Sequence, residues 1–97
     1  RIMAVCGMLK YKDAESVFSQ LTSVIDQWHC VTLGGYRGQS GDDLNAKLTT
    51  VCPSAKSASE DSVIEGVQSA VKNADKNDIV LVFGSFHTVG EFLEYLA

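Results

Sequence analysis

The chain has 97 residues, of which 45% are hydrophobic and 21% charged, and a formal net charge of −4. That length holds one domain with a modest core. The acidic balance argues against a nucleic-acid surface, which needs a basic patch to displace counterions. No apolar run approaches the about 20 residues of a membrane-crossing helix. Cys6, Cys30 and Cys52 are odd in number and widely spaced, with no Cys-x-x-Cys pair. They read as reduced small hydrophobes of a cytoplasmic protein rather than disulfides or zinc ligands.

The first element is Ile2 to Met8, nearly all apolar, which reads as a buried strand turning near Gly7. Asp13 is placed to cap a helix whose stripe is Ala14, Val17, Phe18, Leu21, Val24 and Ile25. Trp28 to Leu33 reads as a second strand, ended by Gly34-Gly35. After the loop Tyr36 to Gln39, Ser40 caps a short helix carrying Leu44, Leu48 and Val51. A short third strand is expected around Ala55 to Ala58, and Ser59 is expected to cap a helix striped by Val63, Ile64, Val67, Ala70, Val71 and Ala74.

Asp78 to Leu96 is the stretch on which the rest is expected to be organised. Ile79 to Phe83 is an unbroken apolar run, which implies a strand buried on both faces. Gly84 lets the chain turn. Thr88 and Glu91 have the spacing of a capping box, and Val89, Phe92, Leu93 and Leu96 follow as one helical stripe.

Strands alternating with helices predict a parallel sheet with right-handed crossovers, an α/β fold of the three-layer, Rossmann-like kind. The loops Met8 to Asp13, Gly34 to Ser40 and Gly84 to Thr88 must then emerge at one edge, where open α/β sheets bind ligands. Of eight Lys and Arg residues, Lys10, Lys12 and Arg37 lie in these loops, and His87 joins them. Cations beside a helix N-terminus suit an anionic ligand; the other reading is of solvated loop charges.

Ser85 lacks the Gly-x-Ser-x-Gly elbow of a hydrolase, and no acid is evidently placed to orient His87. The pair fits donation of hydrogen bonds to a carboxylate better, against the plainer reading of His87 as a helix-start residue. His29 and Cys30 are strand neighbours pointing to opposite faces, so they form no dyad. No phosphate-binding glycine motif is present, and Asp42 and Asp43 read as helix-dipole partners rather than metal ligands.

Val82 to Val89, the string Val-Phe-Gly-Ser-Phe-His-Thr-Val, together with Val5 to Leu9 and the pair Lys12-Asp13, is similar to the C-terminal domain of folylpolyglutamate synthase. That includes the bifunctional bacterial form with dihydrofolate synthase activity, in the Mur ligase superfamily. The resemblance covers essentially the whole chain in order. It implies that residues 1–97 are a C-terminal glutamate-ligase domain, part of a larger cytoplasmic, monomeric, ATP-dependent amide ligase. There a dihydropteroate or folate carboxylate is activated by ATP with Mg2+ as an acyl phosphate, and the amine of L-glutamate attacks it.

Carried over by position, the resemblance implies that Lys12 pairs with a glutamate carboxylate and that Asp13 caps and orients its loop. Ser85, Phe86, His87 and Thr88 are then glutamate-binding residues, with Arg37 as a further anion contact. Catalytic and metal-binding residues are not assigned to this chain. The family's domain begins with another strand and helix carrying Asp-x-Ala-His-Asn, which this sequence lacks, as it lacks the central ATP-binding domain. The chain is therefore expected to be a piece of a longer protein, inactive alone. Relatives often have Pro where this chain has Tyr36. A peptidoglycan-type ligase domain and a small flavodoxin-like binding module are the alternative readings.

Overall fold

A computed structural model describes all residues, Arg1–Ala97. Four strands, β1 (Ile2–Cys6), β2 (Gln27–Val31), β3 (Ser57–Glu60) and β4 (Ile79–Phe83), alternate with α1 (Ala14–Leu21), α2 (Gly41–Val51), α3 (Val63–Asn73) and α4 (Phe86–Leu96). The strands form one sheet in the order β3-β2-β1-β4. Every pairing is parallel, with Val5 opposite both His29 and Val82.

Side chains alternate across the central strand as the pleat requires. Ala4 and Cys6 face one core with Phe18 of α1, Trp28 and Cys30 of β2, and Leu44 and Leu48 of α2. Met3 and Val5 face a second core with Val31 and with Val63, Val67 and Ala70 of α3. Phe92 of α4 packs against this second cluster. The result is three layers, helix, sheet, helix, as the α/β pattern predicts. Phe18 meets Trp28 edge-on at 5.1 Å between ring centroids, an arrangement favoured by aromatic quadrupoles.

The organising strand is β1, whose Met3 to Cys6 are wholly buried, and not the Ile79–Phe83 run. β4 lies at the sheet edge, where Ile79 is 58% and Leu81 42% exposed. Only Val80 and Val82 of its apolar run pack against the second core. Apolar continuity therefore overstated its burial.

Other boundaries also differ from expectation, and β1 and β2 each end two residues early, at Cys6 and Val31. α1 stops at Leu21, so Val24 falls in a turn and is 51% exposed. β3 runs two residues later than expected because its backbone pairs with β2, Ser57 opposite Trp28 and Glu60 opposite Val31. The cap of α3 is accordingly Ser62, whose hydroxyl accepts from the Glu65 amide at 3.1 Å. Ser59 sits in β3 and donates to Asp42. Finally, α4 begins one turn before the Thr88–Glu91 spacing implies: its cap is Ser85.

The three cysteines are free thiols. Cys6 and Cys30 are neighbours in register on adjacent strands. Burial pushes the Cys30 thiol up to about 12, and raises Cys6 still more, with Cys30 adding to the effect. Burial thus disfavours the thiolate, the nucleophilic form, at both positions. No helix is long and apolar enough to cross a membrane.

Candidate functional site

Segments leaving the carboxyl ends of parallel strands converge beside β1, because parallel pairing sends all of them to one edge. Leu9, after β1, forms an isolated antiparallel bridge with Gly38, after β2. The Lys10 amide donates to the Arg37 carbonyl at 2.8 Å. On the other side, the Gly7 amide donates to Phe83 at the end of β4. The Thr88 hydroxyl returns a bond to the Gly7 carbonyl at 2.8 Å, across 81 residues of sequence.

The start of α4 is shaped by two residues. Gly84 has φ +124°, a left-handed conformation that lets the backbone double back against Gly7. Ser85 is extended, and its hydroxyl accepts from the Thr88 amide at 3.2 Å. The amides of Phe86 and His87 precede the first helical bond and are free of the helix's own ladder. They carry the positive end of the α4 dipole.

Between that helix start and the loop after β1 lies a cavity of about 630 Å³. Leu9, Tyr11, Lys12 and Val17 line one side, and Phe83 to His87 with Val89 line the other. The walls are largely apolar, and Lys12, His87, Ser85, the Tyr11 hydroxyl and the α4 amides are polar groups at the cavity. Phe86 is 96% exposed at the rim.

Of the residues singled out from the sequence, Lys12, Ser85, Phe86 and His87 therefore share one cavity. Asp13, Thr88 and Arg37 do not line it. Asp13 caps α1, its carboxylate accepting from the Ser16 amide at 3.2 Å. Thr88 is fully buried behind Ser85, its hydroxyl 3.1 Å from that of Ser85. Arg37 lies over the Tyr36 ring at 5.6 Å and donates from Nε to its hydroxyl.

His29 and Cys30 point to opposite faces, as the strand alternation requires. The Nδ1 of His29 donates to the Glu60 carboxylate at 3.0 Å, and the ring is buried. Sequence reasoning missed this pair and also missed Gln39, a buried amide in the loop after β2. No periodicity marks either residue, since the partner each one meets lies about thirty positions away in sequence, and the Nε2 of His29 is buried without one.

Residues 1–86 match the family described as Mur ligase, glutamate ligase domain. The chain belongs to that family. Among the relatives of this Mur ligase domain is the dihydrofolate synthase/folylpolyglutamate synthase of Haemophilus influenzae, 63% identical over 95% of this chain and 21% of that protein. The solved structure of Escherichia coli FolC in complex with DHPP and ADP superposes with a TM-score of 0.89 at 38% identity, over 99% of this chain and 22% of FolC. A bifunctional folylpolyglutamate synthase/dihydrofolate synthase with Mn, AMPPNP and L-glutamate bound gives 0.84 at 34% identity, over 99% and 22%. The chain spans about a fifth of the length of the curated relatives it matches. No group of three or more His, Cys, Asp or Glu side chains in this Mur ligase domain converges to hold a metal ion.

Proposed function

We propose that residues 1–97 form the glutamate-binding part of a cytoplasmic, monomeric, ATP-dependent amide ligase that adds L-glutamate to dihydropteroate or folate. The observation that carries this reading is the meeting of Lys12 and the α4 N-terminus across one cavity. L-Glutamate brings two carboxylates, and the cavity offers one flexible ammonium and a set of unpaired backbone amides. Lys12 takes one carboxylate. The amides of Phe86 and His87, with the His87 imidazole, take the other, and Ser85 joins them by turning its hydroxyl hydrogen from Thr88 to the carboxylate. Thr88 supports Ser85, Asp13 fixes the loop bearing Lys12, and Arg37 adds positive potential nearby.

The role of this chain in the reaction is positioning. The acceptor carboxylate becomes an acyl phosphate at the expense of ATP; the glutamate amine attacks its carbonyl carbon, the C–O bond breaks, phosphate leaves with the electron pair, and the nitrogen sheds a proton to give the amide. Holding both glutamate carboxylates fixes where the amine points, which turns a bimolecular encounter into an oriented one. ATP and its divalent metal belong to the rest of the intact ligase, and when bound they supply the activating phosphoryl group and charge neutralisation. Metal ligation is not assigned to the residues of this chain.

The test is an assay of the complete ligase containing this chain, with ATP, radiolabelled L-glutamate and either dihydropteroate or a muramoyl nucleotide. Label is expected to enter dihydropteroate alone. Incorporation into the muramoyl nucleotide instead would move the chain to the peptidoglycan branch.

A further inference from the structure

Three polar side chains are nearly or wholly buried: His29, Gln39 and Thr88. His29 meets Glu60 through Nδ1, and its Nε2 is buried without a partner. The other two point at the loop carrying Lys12. The carbonyls of three successive residues of that loop each receive a bond from outside it. Gly7 accepts from the Thr88 hydroxyl at 2.8 Å. Met8 accepts from the Gln39 amide at 3.4 Å, and Leu9 from the Gln39 side chain at 3.3 Å. The Leu9 carbonyl also accepts the backbone amide of Lys12 at 3.1 Å, closing the turn from which the Lys12 side chain projects. Gln39 and Lys12 thus meet at one acceptor.

The orientation of the Gln39 amide is fixed by chemistry. A backbone carbonyl can only accept, so the NH2 faces Leu9. The Oε1 faces Nζ of Lys47 on α2 at 3.1 Å, and an ammonium can only donate. With 3% exposure, the Gln39 side chain has little water to exchange with. A flipped or shortened side chain would leave buried groups unpaired, which costs more than a surface bond is worth.

We propose that Gln39, oriented by Lys47, is a positioning residue that sets where Lys12 stands in the cavity. It touches no reacting atom; it acts through the Leu9 carbonyl. This rests on the reading of Lys12 as a glutamate ligand.

The experiment is a kinetic double-mutant cycle in the complete ligase, varying L-glutamate and ATP separately. Gln39→Glu keeps the contact with Lys47 but sets a carboxylate oxygen against the Leu9 carbonyl. It is expected to raise the glutamate KM about tenfold, the scale of one misplaced charge-assisted bond, and to leave kcat and the ATP KM within about twofold. In a Lys12→Ala background the same change should raise the glutamate KM no further. Lys47→Met, which leaves the buried Gln39 Oε1 without its donor, supports the same cycle if Gln39→Glu fails to fold. A full additional rise in the Lys12→Ala background, or an unchanged glutamate KM beside a lowered melting temperature, overturns the assignment. If Lys12→Ala itself leaves the glutamate KM unaltered, the reading of the cavity falls first and this assignment with it.

Discussion

Gly84 carries a double constraint. Its φ of +124° suits glycine, and a Cβ there would collide with the Gly7 carbonyl oxygen. Gly84→Ala is therefore expected to destabilise the fold by about 2–4 kcal/mol, since strain and a backbone clash act together. Urea unfolding monitored through Trp28 measures this, and an unchanged midpoint would contradict the turn geometry. Residues of this kind differ in how far the sequence announces them. Asp13 and Ser40 are read correctly as caps because each acts on an amide three positions ahead. Thr88 and Gln39 are not, because their acceptors lie 81 and 30 positions away. Thr88 looks like a cap in the sequence only because its neighbour Glu91 has the right spacing.

At the level of elements, β1 and β4 announce themselves by apolar runs, and β2 by Trp28, Cys30 and Val31. β3 does not. Ser57-Ala58-Ser59-Glu60 has no run and no alternation, and it is a strand because β2 offers it a free edge. Mistaking Ser59 for a cap followed directly from that. The corrected assignment predicts a contrast. Ser62→Ala removes the cap of α3 and should cost about 1 kcal/mol, whereas Ser59→Ala loses an exposed side-chain bond and should cost less than about 0.5 kcal/mol. Paired chemical denaturation curves check it; equal losses would return the helix start to Ser59. β4 is the opposite case: its strong local signal predicts a doubly buried strand, and it lies at the sheet edge. Composition reports that a strand is apolar, while its place in the sheet is set by pairing, and β4 pairs with β1 alone.

For the whole molecule, the alternation of strands and helices was enough to predict a parallel sheet. Parallelism alone predicts that the loops after β1, β2 and β4 share an edge. Their hydrogen-bonded convergence at Gly7 and Leu9 is a consequence of that topology. What the alternation could not supply was which loop residues face inward: Lys12 and His87 line the cavity, while Arg37 turns to Tyr36. Side-chain direction in a loop depends on contacts made after the sheet has formed. The family match to residues 1–86 accords with this architecture. The central claim is that Lys12 and the start of α4 together hold an amino acid by its carboxylates. It is tested most directly by the L-glutamate and ATP KM values of Lys12→Ala in the complete ligase. The account predicts a rise of about tenfold or more for L-glutamate, as expected for loss of a charge-assisted bond, with the ATP value within about twofold of wild type. An unchanged L-glutamate KM would contradict it.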